Sequence, residues 1–450
     1  MLENIKKLQV KSVFLLFLSE FGFYLCIFSR NHLVPMVDVP YYLIQIKSIL
    51  TTGSLVYGAP PLTFYLLSIF SFLSGDVTLG LKVGVSFFCT LSTIPAYFLM
   101  KRVGKSYFAG VIAMLLIIFS APYIRMLTDF MKNAVGVFFL IAFIYYLHDL
   151  VFSGFKKRSL ILSTSFLLLT GITHILDFLT ALLFLAIYTV LVLIFDVDRR
   201  SFMKSVGIIT SIILAFIFVA TTFFSSLFED FNLVFYFIRD LMTPRINGVK
   251  GVKTIPNSFG PIQAGQHPLS RGVNVIGEWG MILSIISIGI ILSFYTWKKR
   301  QKEASFLLIA ATTISSIICF PFIPGEWLFR TSLMIVMPAA IILSYGISRI
   351  WKSDYRKSKV IAVIIFAICL FFFVGQSLRI ARGINPTISD EGYRDLIDMK
   401  DRIPANSIVF TEHSVHYWVE YVDEVEVARA SIEELSPELG ESYSHVLFIL

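Results

Sequence analysis

Four places in the chain set ionisable side chains where long apolar runs give way to short polar stretches. The first is PMVDVPYYLIQIKSILTTGSLVYGAPPL, Pro35 to Leu62, whose one acid is Asp38. A carboxylate at the edge of a low-dielectric layer can hold a metal ion, pair with a cation, or accept a proton with a raised pKa. Standing ahead of a helix, it can instead cap backbone N–H groups. The second is YIRMLTDFMKN, where Arg125 and Asp129 are one helical turn apart and Lys132 and Asn133 follow; an ion pair and a solvated turn are both open. The third is THILDF, in which His174 and Asp177 share a helix face, a spacing that suits metal ligation or a hydrogen-bonded pair, although two residues do not specify a metal. The fourth is FIPGEWLFR, with Glu326 and Arg330 on either side of Trp327. A planar guanidinium matches phosphate oxygens and keeps its charge in a poorly hydrated setting, and Trp327 suits an interfacial aromatic belt.

These residues need a membrane body to position them. The chain has 450 residues, 56% hydrophobic and 15% charged, with a mean hydropathy of +0.78. One soluble core cannot hide that much apolar side chain, so a polytopic α-helical membrane protein is expected. About eleven spans are predicted, at 12–30, 81–100, 105–122, 134–153, 159–176, 178–195, 205–224, 277–296, 305–323, 328–348 and 359–378, each near the length that crosses hydrocarbon. The first run reads as a retained anchor, since it is long, carries Glu20 and lacks a small-residue cleavage pattern. Cys26, Cys89, Cys319 and Cys369 lie inside apolar runs without metal-site or disulfide spacing and read as small hydrophobes.

Lys6, Lys7 and Lys11, then Lys101, Arg102 and Lys105, then Lys156 to Arg158, Arg199 to Lys204, Lys298 to Lys302 and Arg349 to Lys359 fall on one side of this topology. The positive-inside rule makes that side, with the N-terminus, cytoplasmic and places the four candidate stretches outside. A multi-pass protein of a prokaryotic cell membrane follows. The cations sit in short loops between spans, so nucleic acid is a poor partner and membrane lipid a good one. Residues 379–450 hold six Lys and Arg against fourteen Asp and Glu, so the net charge of +8 arises in the rest of the chain.

Two domains are expected: a membrane domain over 1–378 and a small external α/β domain over 379–450. Within the first external loop, 31–80, Tyr42, Leu43, Ile46, Ile49 and Leu50 take one helical face, and Gln45, Lys47, Ser48 and Thr51 the other. That helix is too short to span and suits the interface plane; Gly53 ends it, and a second short helix starts after Ala59-Pro60-Pro61. The long external loop, 225–276, with Arg239, Arg245, Lys250, Lys253, His267 and Arg271, reads as a lid or binding loop, or as a patch drawn to anionic headgroups. In the tail, SDEGYRDLIDMKDR, HSVHYWVEYV and SIEELSPELG read as helices, and SIVFT, VEVARA and HVLFIL as strands of a parallel sheet. Nucleotide-binding patterns are absent from it.

The run DVPYYLIQIKSILTTGSLVYGAPPL, which opens with Asp38 in the external loop after a first span, resembles the first loop of the GT-C membrane glycosyltransferases. That group includes dolichyl-phosphate-mannose protein mannosyltransferases, aminoarabinose transferases and the catalytic subunit of oligosaccharyltransferase. The resemblance implies a GT-C-like fold and transfer of a sugar, as by a hexosyltransferase, from a polyprenyl-phosphate donor such as dolichyl phosphate to an acceptor protein, lipid or glycan. It further implies that Asp38, the acid of the first loop, is catalytic as a general base or as a metal-anchoring carboxylate, and that Asp129 is a second carboxylate or a metal ligand beside it, the metal being divalent, Mg2+ or Mn2+. Substrate would be held by Arg330, Glu326, Arg125, His174 and Asp177. The chain departs from mannosyltransferases in following Asp38 with Val39 rather than a second acid, and HYWVEY at 416–421 is at most a distant echo of the WWD-type motif. The competing classes are a transporter or flippase of a lipid-linked or anionic solute, which calls for broken helices and midplane charges, and a non-catalytic membrane scaffold.

Overall fold

In hydrocarbon a chain must close its backbone hydrogen bonds within each segment, and these apolar runs do so as helices. The computed structural model describes residues 2–195, 198–231, 235–237, 239–240, 275–320, 323, 325–353, 355–404, 407–412, 414–424, 426–428 and 445–449. In order come α1 (Leu2–Ser29), α2 (Val39–Thr52), α3 (Leu62–Ser74), α4 (Val77–Leu91), α5 (Thr93–Val103), α6 (Tyr107–Ile118), α7 (Ala121–Asp129) and α8 (Met131–Phe152). They are followed by α9 (Lys157–Thr173), α10 (Ile175–Phe195), α11 (Arg199–Phe223), a 3-10 turn (Ser225–Phe231), α12 (Val275–Lys298), α13 (Lys302–Ile318), α14 (Gly325–Leu333), α15 (Val336–Trp351) and α16 (Arg356–Gly383). The C-terminal part holds α17 (Asp390–Lys400), β1 (Ser407–Thr411), α18 (His416–Asp423), β2 (Glu426–Ala428) and β3 (His445–Ile449).

Among the described residues, eight helical segments are long and apolar enough to cross a membrane. A ninth is the bent pair α6–α7, which turns by 48°. The expected count of eleven is not reached: the predicted spans at 159–176 and 305–323 form α9 and α13, each only 17 residues long. The span predicted at 105–122 bends because α6 stops at Phe119 and α7 restarts with Pro122 in its first turn, a residue without an N–H whose ring bars an uninterrupted helix. Glu20, buried in α1, accepts a hydrogen bond from Thr93 Oγ1 at 2.9 Å, which gives that acid a partner within the bundle.

The basic turns gather at one end. Arg102 of α5 bonds Asp149 of α8 and lies 3.7 Å from Glu303 of α13, Ser159 of α9 also reaches Asp149, and Lys352 Nζ donates to the Lys105 carbonyl at 2.6 Å. At the other end of α8 the helix starts beyond Phe130, so the two ends are separated by roughly 28 Å at 1.5 Å per residue, about a hydrocarbon thickness.

At that second end sit both short helices of the 31–80 loop. Gly53, at φ 79, closes α2 as expected, and α3 follows Pro61. The helix α2 does not lie open on a surface, however. It is enclosed by α3, α4 and α18, and Gln45, expected on the polar side, is wholly buried. Its amide oxygen accepts from Val56 N–H at 2.9 Å and Tyr57 N–H at 3.2 Å, while its NH2 donates to the Tyr57 carbonyl at 2.9 Å and to Tyr41 Oη at 3.0 Å. One side chain thereby ties the α2–α3 connection to α2.

The strands pair in parallel in the order β2-β1-β3, with Val409 opposite both Val427 and Leu447. Helix α16 runs without a break through the boundary expected at 378 and ends at Gly383. The helix expected over SIEELSPELG lies outside the described residues, as do Arg245, Lys250, Lys253, His267 and Arg271 of the long loop.

Candidate active site

Asp38 owes its position to a strap, residues 30–38, pinned from two sides. Arg30 donates to the carbonyls of Ala381 at 3.0 Å and Ile384 at 2.5 Å and to Asn385 Oδ1 at 3.0 Å, all at the end of α16. Lys82 of α4 donates to the carbonyls of Asn31 and His32, both at 2.8 Å. Met36 N–H bonds the Asn385 carbonyl at 2.9 Å, and Met36 itself sits at φ 64, a left-handed conformation that an unbranched L-residue adopts only when its surroundings impose it. Two residues on, Asp38 occupies the N-cap position of α2 but its side chain makes no capping hydrogen bond to that helix, so capping does not account for the acid. It is half-buried.

The break between α7 and α8, at Phe130 (φ −121, ψ 44), is where the other candidates meet this strap. Arg125 is buried on α7, with Nη1 3.8 Å from Met36 Sδ. Tyr42 Oη of α2 accepts from the backbone N–H of Lys132 at 3.2 Å, and the Lys132 ammonium lies 5.9 Å from the centre of the Phe64 ring. Arg330 of α14 stands over the Phe130 ring at 5.6 Å, and Phe329 packs against the same ring at 6.1 Å. Asp129 is the last residue of α7, and Glu326 precedes Arg330 by one turn of α14; both side chains lie outside the described residues. Trp327 has a specific partner, donating to Asp240 Oδ2 at 3.0 Å.

His174 Nδ1 lies 3.2 Å from Asp177 Oδ2 without meeting hydrogen-bond geometry, and Asp177 is not on an open face. Asp177 is fully buried against Gly136 of α8, where a Cβ would lie 2.1 Å from its Oδ2. Gly136 is six residues beyond the break, roughly 9 Å along the helix. The pair therefore joins α9, α10 and α8 beneath the cluster rather than lining it.

Sequence reasoning passed over the aromatic wall behind α2. Tyr41 lies 5.6 Å from Tyr57, 5.8 Å from Phe64 and 5.4 Å from Tyr417 of α18. Tyr57 bonds Glu420, Lys47 pairs with Glu424, and Lys47 also lies 5.4 Å from the Tyr421 ring centre. The C-terminal part is thus clamped onto the helix that begins at Asp38. Burial pushes the Asp423 carboxyl up to about 6, whereas Lys47 holds the neighbouring Glu424 below its ordinary value. Met36 carries no pattern in the sequence that marks it, and the partners of Lys132 and Tyr417 on α2, 90 and 376 positions away, are not readable there.

For a divalent metal, the described residues contain no group of three or more His, Cys, Asp or Glu side chains. The half-buried Asp38 carboxylate, with no capping bond to its own helix, is a suitable single oxygen donor, and Asp129 ends α7 at the α7–α8 break.

No protein-family model and no curated protein matches the chain. Solved structures do. The archaeal oligosaccharyltransferase AglB from Archaeoglobus fulgidus, in complex with an inhibitory peptide and a dolichol-phosphate, superposes with a TM-score of 0.63 at 14% identity, over 91% of this chain and 64% of that one. An Archaeoglobus fulgidus oligosaccharyltransferase in complex with Zn and sulfate gives 0.64 at 14% identity, over 92% of this chain and 62% of that one. ArnT from Cupriavidus metallidurans bound to undecaprenyl phosphate gives 0.53 at 10% identity, over 100% of this chain and 90% of that one. The chain has the fold of the GT-C membrane glycosyltransferases and spans less than two thirds of the oligosaccharyltransferase's length.

Proposed function

We propose that the chain is a glycosyltransferase that moves a sugar from a polyprenyl-phosphate carrier to an acceptor protein, lipid or glycan at the non-cytoplasmic membrane face. The observation that carries this reading is that Arg125 of α7 reaches Met36 of the strap bearing Asp38, and that Arg330 stands over Phe130 at the α7–α8 break, both at the end of α8 opposite the basic turns. By the positive-inside rule the basic end is cytoplasmic, which puts the break, and the clamped segment 379–450, outside. The fold shared with enzymes solved with dolichol-phosphate and undecaprenyl phosphate supports a lipid-linked donor.

In this reading the acceptor's hydroxyl or amide attacks the anomeric carbon, and Asp38 takes the proton it sheds. The C1–O bond to the carrier breaks, and its electron pair leaves with the lipid phosphate. Arg330 meets that phosphate, and buried Arg125 adds a fixed positive charge behind the strap; both act where negative charge grows during the reaction. A divalent metal would be held by Asp38 and Asp129 and would supply further charge neutralisation at the phosphate. We assign His174 and Asp177 to holding α10 against α8.

The experiment is a product analysis in sealed proteoliposomes carrying radiolabelled polyprenyl-phosphate sugars, with peptide, lipid and glycan acceptors supplied. A new glycosidic bond is expected. Movement of intact donor between leaflets without that bond overturns the proposal in favour of a transporter, and neither product nor movement in favour of a scaffold.

A further inference from the structure

At the basic end, where α10 stops at Phe195 and α12 turns into α13, the helices leave a cavity of about 550 Å³. Its apolar walls are Phe195, Phe294 and Trp297, and its cations are Lys298, Arg300 and Lys302, with Ser305 beneath. The rings of Phe195 and Trp297 meet edge to face at 6.0 Å, and the Lys302 ammonium reaches across to the Phe195 carbonyl at 3.4 Å. Glu303, beside Lys302 in the chain, faces Arg102 instead, at 3.7 Å. Among the described residues none of the three cations forms an ion pair.

Depth and shape narrow what fills such a cavity. The spans Ile175–Phe195 and Gly280–Lys298 both end at it, so it lies at the membrane surface. Below it, Leu283, Ile290, Phe294 and Trp297 are exposed at helical spacing and form an apolar track down α12 into the hydrocarbon. A free phosphate satisfies the cations but leaves the aromatic walls and the track uncovered. A lipid with a phosphodiester headgroup satisfies both, and basic pockets between helix ends are general sites for anionic headgroups. We propose that this cavity binds an anionic glycerophospholipid of the leaflet at the basic end, separate from the donor site on the far side of the bundle.

Native mass spectrometry of the full chain in detergent tests this with phosphatidylglycerol, phosphatidylcholine and inorganic phosphate as a competitor. Phosphatidylglycerol should be retained more than about tenfold over phosphatidylcholine, and Lys298→Gln/Arg300→Gln/Lys302→Gln should abolish that preference. Arg199→Gln/Arg200→Gln/Lys204→Gln, with the same loss of charge at the same end, should leave the preference intact. Equal losses in the two triple variants indicate diffuse attraction and overturn the site. Displacement of the lipid by inorganic phosphate overturns it too. A second measurement avoids the charge changes: phosphatidylglycerol brominated on its acyl chains should quench the emission that disappears in Trp297→Phe, and should do so better than brominated phosphatidylcholine. Equal quenching by the two lipids contradicts the proposal.

Discussion

Arg330 holds its guanidinium carbon 5.6 Å from the centre of the Phe130 ring, and in the proposed reading its planar fork matches two phosphate oxygens. Lysine keeps the charge and loses the fork. Arg330→Lys should therefore lower kcat/KM for the lipid donor by about tenfold or more while the protein remains folded. Steady-state kinetics over donor concentration check this, and an unchanged kcat/KM places phosphate recognition elsewhere. Gln45 tests a structural residue in the same way. Its replacement by leucine strands the N–H groups of Val56 and Tyr57, and thermal unfolding in detergent should register a loss of about 2 kcal/mol. The role of Gln45 was not legible in the helical pattern of the first loop, which puts it among the polar positions. What covers it is the returning 56–57 segment, a contact that no local periodicity encodes.

Elements meet through small residues and opposed charges. Gly136→Ala drives a methyl group into the Asp177 carboxylate, so α8 and α10 must separate or Asp177 must turn away. The expected cost is about 1–3 kcal/mol, seen as a lowered melting temperature of the detergent-solubilised protein. Docking of α18 on α2 should depend on pH with two opposite signs. Asp423, raised to about 6 by burial, weakens the docked state once ionised, so docking strengthens as pH falls through about 6. Glu424, held low by Lys47 and also 3.5 Å from Lys400, stabilises docking while ionised, and that contribution is lost at more acid pH as it protonates. Hydrogen-exchange protection of residues 416–424, corrected for intrinsic exchange, should thus rise from neutral pH to a maximum and then fall. Asp423→Asn should remove the rise. At this scale much was readable in advance, including both short helices, the Gly53 stop, and three tail strands with a helix between the first two. The bend at Pro122 was not anticipated, because apolar residues continue on both sides of it and hydropathy alone reads them as one span.

Across the whole molecule, the basic turns at one end of α8 and the strap, break and C-terminal clamp at the other are what make the chain directional. The loop cations were visible as a one-sided series in the sequence, and Arg102, Asp149, Glu303 and Lys352 bring those turns together. That the strap bearing Asp38 lies against α7 was not visible, since Met36 and Arg125 are 89 positions apart. The most direct test is the single-turnover rate of transfer from a polyprenyl-phosphate sugar, wild type beside Asp38→Asn, with circular dichroism and lipid-donor binding retained in both. Loss of the proton acceptor should slow the chemical step by about a hundredfold to ten-thousandfold. A variant that transfers at the wild-type rate contradicts the role of Asp38.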